Sequence, residues 1–170
     1  QGKGWFMDIS DCMKRTIVSI PATARVDQAV RLVIRHNIGT LPVVDEANRL
    51  LGVVSLRELL ALVMPDFVHL LDHIDFVHDF GAWGARQPDP EDLARPVSEI
   101  MHQPVFCEET SSLLRAAALI RQYGLVDLPV VDNEGRLVGL ASHVDIGTAL
   151  MRNWHSGRQS SLGGTGERKG

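Results

Sequence analysis

The chain has 170 residues, 45% of them hydrophobic and 22% charged, with 17 basic side chains against 21 acidic ones and a formal net charge of −4. That balance suits a globular protein of one domain or two very small ones, and it argues against wholesale electrostatic binding to nucleic acid or anionic lipid. The longest apolar run, Leu59 to Met64, is six residues, far short of the about 20 that a membrane span needs, so direct membrane insertion is not expected.

In chain order, a short extended segment at Ile17 to Ile20 precedes a helix over Val26 to His36. Val26, Ala29, Val30 and Val33 fall at i, i+3, i+4 and i+7 there, the spacing of one buried stripe. Leu41 to Val44 and Leu51 to Val54 read as strands joined by a turn at Asp45-Glu46-Ala47-Asn48, and another helix begins after Ser55. Residues 65–95 are longer than a simple connector. Pro65 suits an early helical position, and Phe67, Leu70, Leu71, Ile74 and Val77 make an amphipathic stripe beyond it. Gly81, Trp83 and Gly84 interrupt that pattern before Asp89-Pro90-Glu91-Asp92 opens a further short helix.

The order then starts again. Val105 to Cys107 is extended, Leu113 to Tyr123 is helical, Leu128 to Val131 and Leu137 to Ala141 are strands about a turn at Asp132-Asn133-Glu134-Gly135, and a last helix follows Ser142. Residues 152–170 mix five glycines with serines and basic residues, and read as a flexible tail that serves as a linker or docking arm.

The two halves are copies. Leu41-Pro42-Val43-Val44-Asp45 recurs letter for letter as Leu128-Pro129-Val130-Val131-Asp132, 87 positions on (128 − 41). At the same offset Arg49, Leu50, Gly52 and Ser55 meet Arg136, Leu137, Gly139 and Ser142, and the helix stripe meets Leu113, Ala116, Ala117 and Ile120. A unit of roughly fifty residues buries too little surface to be comfortable alone, so the two are expected to pack on each other.

The succession of helix, h-P-V-V-D, turn and L-h-G-h-h-S-x-x-[D/E] resembles the CBS domain, which occurs as tandem pairs known as Bateman modules. The resemblance implies an α+β fold of two β-α-β-β-α repeats, over 8–64 and 96–151, packed as a pseudo-twofold pair with a helical insertion at 65–95. It also implies clefts between the repeats that take adenosyl compounds (AMP, ADP, ATP or S-adenosylmethionine), further pairing into a homodimer, and a regulatory, non-catalytic role toward a client enzyme or transporter. No cofactor is required by it.

Gly139-Leu140-Ala141-Ser142-His143-Val144-Asp145 fits the family's ribose-binding signature in full. An ionised carboxylate such as Asp145 can accept charge-assisted hydrogen bonds from both ribose hydroxyls, and a helix start such as that beside Ser142 favours phosphate. By resemblance, Pro104, Val105, Val126, Leu128 and Pro129 line the adenine slot of this second cleft. Gly39, Leu41, Pro42, Ser55, Arg57 and Glu58 are the matching residues of the first. Ser-x-x-Asp/Glu before a helix is equally a capping box, and Ser55-Leu56-Arg57-Glu58 carries the preferred Glu in place of the family's Asp. Few cations are placed for phosphate, since the counterpart of Arg57 is Val144, and this favours AMP or another lightly charged adenosyl ligand.

The insertion offers a second function: a ligand-free dimerisation or assembly module whose helix at 65–95 is the interface. It could equally be a lid over its own module. His69 and His73 are four apart on it, which permits a metal site, but no Cys or further motif supports one. No Gly-x-Ser-x-Gly elbow, Walker-type glycine loop, His-Glu-x-x-His or Cys-x-x-Cys is present, and no catalytic set is expected. Two cysteines, Cys12 and Cys107, are too few for a disulfide scaffold and suggest a reducing cytoplasm; no secretory leader is visible, and the missing initiator Met suggests a piece of something larger. Cys107, on an extended segment, is expected to be a buried, inert thiol.

Overall fold

The computed structural model describes residues 7–64 and 87–162. It forms two compact units: unit 1 comprises Gln1–Ile17 with Val105–Gly170, and unit 2 comprises Val18–Pro104. Unit 2 holds β1 (Ile20–Pro21), α1 (Val26–His36), β2 (Thr40–Val44), β3 (Leu50–Ser55), α2 (Leu56–Ala61) and α3 (Pro90–Ala94). Unit 1 holds β4 (Cys107–Glu108), α4 (Leu113–Tyr123), β5 (Asp127–Val131), β6 (Leu137–Ser142) and α5 (His143–Leu162). Each has one three-stranded sheet, β1-β2-β3 or β4-β5-β6, with the first pair parallel and the second antiparallel. The fold is therefore α+β, twice over.

Both striped helices run over the residues their periodicity marks, and both stop for the same reason. Asn37 (φ 50°) and Gly124 (φ 61°) adopt the left-handed conformation just past the last turn and return their N–H groups to Val33 and Ile120. The stripes bury Val26 and Ala29 in one core, with Leu41, Val43 and Val54, and Leu113 and Ala116 in the other, with Leu128, Val130 and Ala141.

A proline in a central strand normally breaks a ladder. Pro42 pairs with Val53, whose N–H and C=O both turn away from β2 to His102 (3.1 and 3.0 Å). The Pro42–Val53 pair is thus a non-hydrogen-bonded one, and the missing donor costs β3 nothing. Pro129 and Leu140 repeat this, with Leu140 bonded to Lys14 (3.0 and 2.9 Å). The donor is missing instead on the β1 or β4 side. Those strands consequently pair only beside the last two residues of β2 or β5, at Ile20–Pro21 and Cys107–Glu108, later than the expected Ile17–Ile20 and Val105–Cys107.

The Asp that closes each L-P-V-V-D is a turn residue. Asp45 Oδ1 accepts from the N–H of Ala47 and Arg49 (2.9 and 2.8 Å) while Oδ2 meets Arg49 Nε at 2.8 Å; Asp132 does the same with Glu134 and Arg136.

The segment leading into each repeat packs with the other repeat's sheet in the chain's order. Residues 9–17 lie in unit 1, where Ile9 joins the core and Met13 rests on Gly139; Val97 to His102 lie in unit 2, where Met101 rests on Gly52. The anticipated short helix after Asp89 is α3. The stripe from Phe67 to Val77, and His69 and His73, lie outside the described residues.

Candidate functional site

Each antiparallel hairpin ends on a serine that caps the following helix, and each cap is closed by an acidic side chain three residues on. In unit 1 the Ser142 N–H and Oγ–H both donate to Asp145 Oδ2 (3.0 and 2.7 Å), and the Asp145 N–H donates back to Ser142 Oγ at 3.0 Å. In unit 2 the Ser55 N–H and Oγ–H donate to Glu58 Oε2 (2.7 and 2.6 Å), and the Arg57 N–H donates to Ser55 Oγ at 3.2 Å. Both carboxylates are therefore structural caps. Among the described residues, the hydrogen bonds of Asp145 all enter Oδ2, which leaves Oδ1 open.

The residue immediately before β5 or β2 is bonded to the first residue after each capping serine. The Val126 carbonyl accepts from the His143 N–H at 2.8 Å, with His143 Nδ1 3.1 Å away, and the Gly39 carbonyl accepts from the Leu56 N–H at 3.0 Å.

A basic side chain faces each carboxylate, delivered by the leading segment. Lys14 Nζ lies 3.7 Å from Asp145 Oδ2, and His102 Nδ1 lies 3.5 Å from Glu58 Oε1. Burial pushes the Asp145 carboxyl up, but the hydrogen bonds from Ser142 and the Lys14 ammonium outweigh it and hold its pKa below the ordinary value. Glu58 is likewise raised by burial and lowered further by Ser55 and by His102, with a net fall. Both acids are ionised at neutral pH. Neither Lys14 nor His102 stands out in the sequence reading, which followed the offset of 87. The signal was one residue off it: Met13-Lys14 and Met101-His102 recur 88 apart (101 − 13).

The remaining anticipated residues divide by depth. Val126 is exposed beside the cap, and Val105 is half-buried against the unit 1 core. Leu128 is in that core and Pro129 is fully buried. Leu41 and Pro42 hold the same places in unit 2, where Arg57 is exposed. Pro104 is half-buried and is the last residue of unit 2. A groove of about 830 Å³ on unit 2, between β1 and α1 and bordered by Gln28, Arg31 and Arg35, involves none of these residues. Among the described residues no group of three His, Cys, Asp or Glu could hold a metal, and no helix is long and apolar enough to cross a membrane.

A family model described as CBS domain matches residues 9–65 and 97–152. Inosine-5'-monophosphate dehydrogenase of Aquifex aeolicus is 29% identical over 131 residues, which are 76% of this chain but 21% of that enzyme. The chloroplastic CBS domain-containing protein CBSX1 of Arabidopsis thaliana is 28% identical over 153 residues, covering 87% of this chain and 65% of the relative. The chain thus spans less than two thirds of each. The crystal structure of CBSX2 in complex with AMP superposes with a TM-score of 0.64 at 26% identity, covering 85% of this chain and 96% of that one.

Proposed function

The chain belongs to the CBS domain family, and on that premise we propose that it is a non-catalytic regulatory module that binds an adenosyl nucleotide, AMP-like, beside Ser142 and Asp145 and signals to a client enzyme or transporter. The observation that carries this reading is the Asp145 carboxylate, ionised, fixed by its cap and with Oδ1 unspent. A carboxylate already locked in place accepts ribose hydroxyls without losing further side-chain freedom. Exposed Val126 and half-buried Val105 offer adenine apolar surface, and Leu128 and Pro129 are buried. The AMP held by CBSX2 supports the ligand class. The matched part of the Aquifex dehydrogenase is about a fifth of that enzyme, which fits a regulatory part more readily than a catalytic one.

Glu58 is assigned to its helix cap, with ligand binding by Ser55, Arg57, Gly39, Leu41 and Pro42 the weaker expectation. The same double cap also favours a second reading, in which neither carboxylate takes a ligand and the chain is an assembly module. A homodimer in a reducing cytoplasm belongs to both readings; free Cys12 and Cys107 fit that compartment.

Thermal unfolding with AMP, ADP, ATP and S-adenosylmethionine tests the choice. A ligand that binds only the folded state stabilises it by about 2.7 kcal/mol at a hundredfold excess over Kd. A rise in Tm with AMP that disappears in Asp145→Asn supports the sensor, and no rise with any of the four favours assembly.

A further inference from the structure

The two carboxylate sites are matched in backbone and unmatched in charge. Lys14 and His102 occupy the same place, each joined to the free edge of its unit's hairpin by a reciprocal pair of backbone hydrogen bonds, Lys14 to Leu140 and His102 to Val53. Each is preceded by a methionine seated on a strand glycine, so its Cα is held from two sides. The side chains differ: one is a lysine ammonium, the other a histidine that is charged only when protonated.

We infer that Lys14 is the specificity residue of the unit 1 site and selects an anionic adenosyl ligand, a nucleoside phosphate, over an uncharged nucleoside or a sulfonium. This rests on the adenosyl reading of Asp145. An ionised carboxylate alone repels phosphate, and Lys14 cancels that charge. Its ammonium stands 3.7 Å from Oδ2, an ion-pair distance longer than a good hydrogen bond, and its side chain is 69% exposed. Its N–H donors therefore still face solvent. Among the described residues Asp145 is its one ion-pair partner, so a phosphate arriving beside the ribose meets a cation already held near the spot by the backbone. Among the described residues Lys14 is the cation paired with Asp145, and the position that carries Arg57 in unit 2 is Val144 in unit 1, apolar and exposed. Cys12 lies close enough to be raised by Asp145 and attracts no anion, and the His143 ring is turned to the Val126 carbonyl. A sulfonium would meet the ammonium with like charge.

Isothermal titration of the full chain with AMP, adenosine and S-adenosylmethionine, at two salt concentrations, tests this. Lys14→Met should weaken AMP at least tenfold, leave adenosine within about twofold, and abolish the salt dependence of AMP binding, while Lys14→Arg keeps most of it. Lys14→Gln repeats the test with a polar neutral side chain should the methionine variant fold poorly; the backbone bonds to Leu140 need neither. Equal losses for AMP and adenosine, or an unchanged AMP affinity, overturn the role of Lys14. Wild-type chain that binds adenosine or S-adenosylmethionine more tightly than AMP also overturns it while leaving the Asp145 site standing. Wild-type chain that binds none of the three overturns the site reading itself.

Discussion

Met13 lies against Gly139 so closely that a β-carbon on the glycine would overlap the methionine sulfur, and Met101 meets Gly52 in the same way. Glycine at these two positions lets a leading segment come down onto the hairpin, and an added β-carbon would force the methionine to shift. Gly139→Ala should therefore cost about 1–3 kcal/mol in urea unfolding, the usual range for forcing an extra carbon into a packed site. Gly52→Ala should cost more, because its β-carbon would also stand 3.1 Å from the His102 carbonyl, which belongs to backbone. Shortening the methionine in a double variant, Gly139→Ala with Met13→Ala, should recover part of the overpacking loss, an interaction read directly from a double-mutant cycle.

Gly124 has open space where a β-carbon would stand, yet it sits at φ 61°. Gly124→Ala therefore isolates the backbone cost of the left-handed conformation, and about 1–2 kcal/mol of destabilisation is expected by thermal or urea unfolding. Asn37→Gly, at the equivalent end of α1, should be neutral or slightly stabilising in the same assay.

Acid unfolding should report the caps. Asp145 has a folded pKa below its ordinary value of 3.8, so its contribution is fully present above that value and is lost as pH falls through the lower folded one. Stability should hold from pH 7 to about 4 and then decline, with Glu58, Asp27, Asp45 and Asp132 adding to the fall because their values are lowered too. Asp145→Asn should make the decline shallower, since one titrating share is gone. Urea midpoints at pH 7, 4 and 3 compare the two proteins.

Burial pushes the Cys107 thiol up to about 11 and raises Cys12 as well. Neither should react readily with N-ethylmaleimide at pH 7 while the chain is folded, and labelling of Cys107 should track unfolding across a urea series. Rapid labelling of Cys107 without denaturant would contradict its 3% exposure.

Much of the architecture was legible because it is written twice. The stripes at Val26 and Leu113 bounded their helices to the residue, since apolar period and left-handed stop agree at both ends. Ser55 and Ser142 were readable as caps for the same local reason. The first strands were displaced because their extent depends on which neighbouring residue lacks an N–H, a property of Pro42 and Pro129 that acts across the sheet and leaves no mark on Ile17 or Val105. Lys14 and His102 were missed because they reach their carboxylates through pairing to Leu140 and Val53, more than a hundred residues away for Lys14, and charge alone does not announce such a pairing. Leu128 and Leu41 read as slot walls from their motif, and each lies in the core of its unit.

Because residues 9–17 complete unit 1 and Val18–Pro104 are contiguous in unit 2, the two units have different prospects during synthesis. Unit 2 has every one of its strands and its seated methionine once the chain reaches Pro104. Unit 1 begins first and finishes last: Ile9 and Met13 emerge early, and their partners at Leu113, Leu128 and Gly139 follow roughly a hundred residues later. Closing so long a loop carries an entropic cost that grows as about (3/2)RT ln n, smaller if the intervening chain has already condensed. The expected order of events is a central unit that forms while its flanks are still loose, followed by capture of the waiting N-terminal segment, so that the charge Lys14 brings to Asp145 is the last part of the site to arrive.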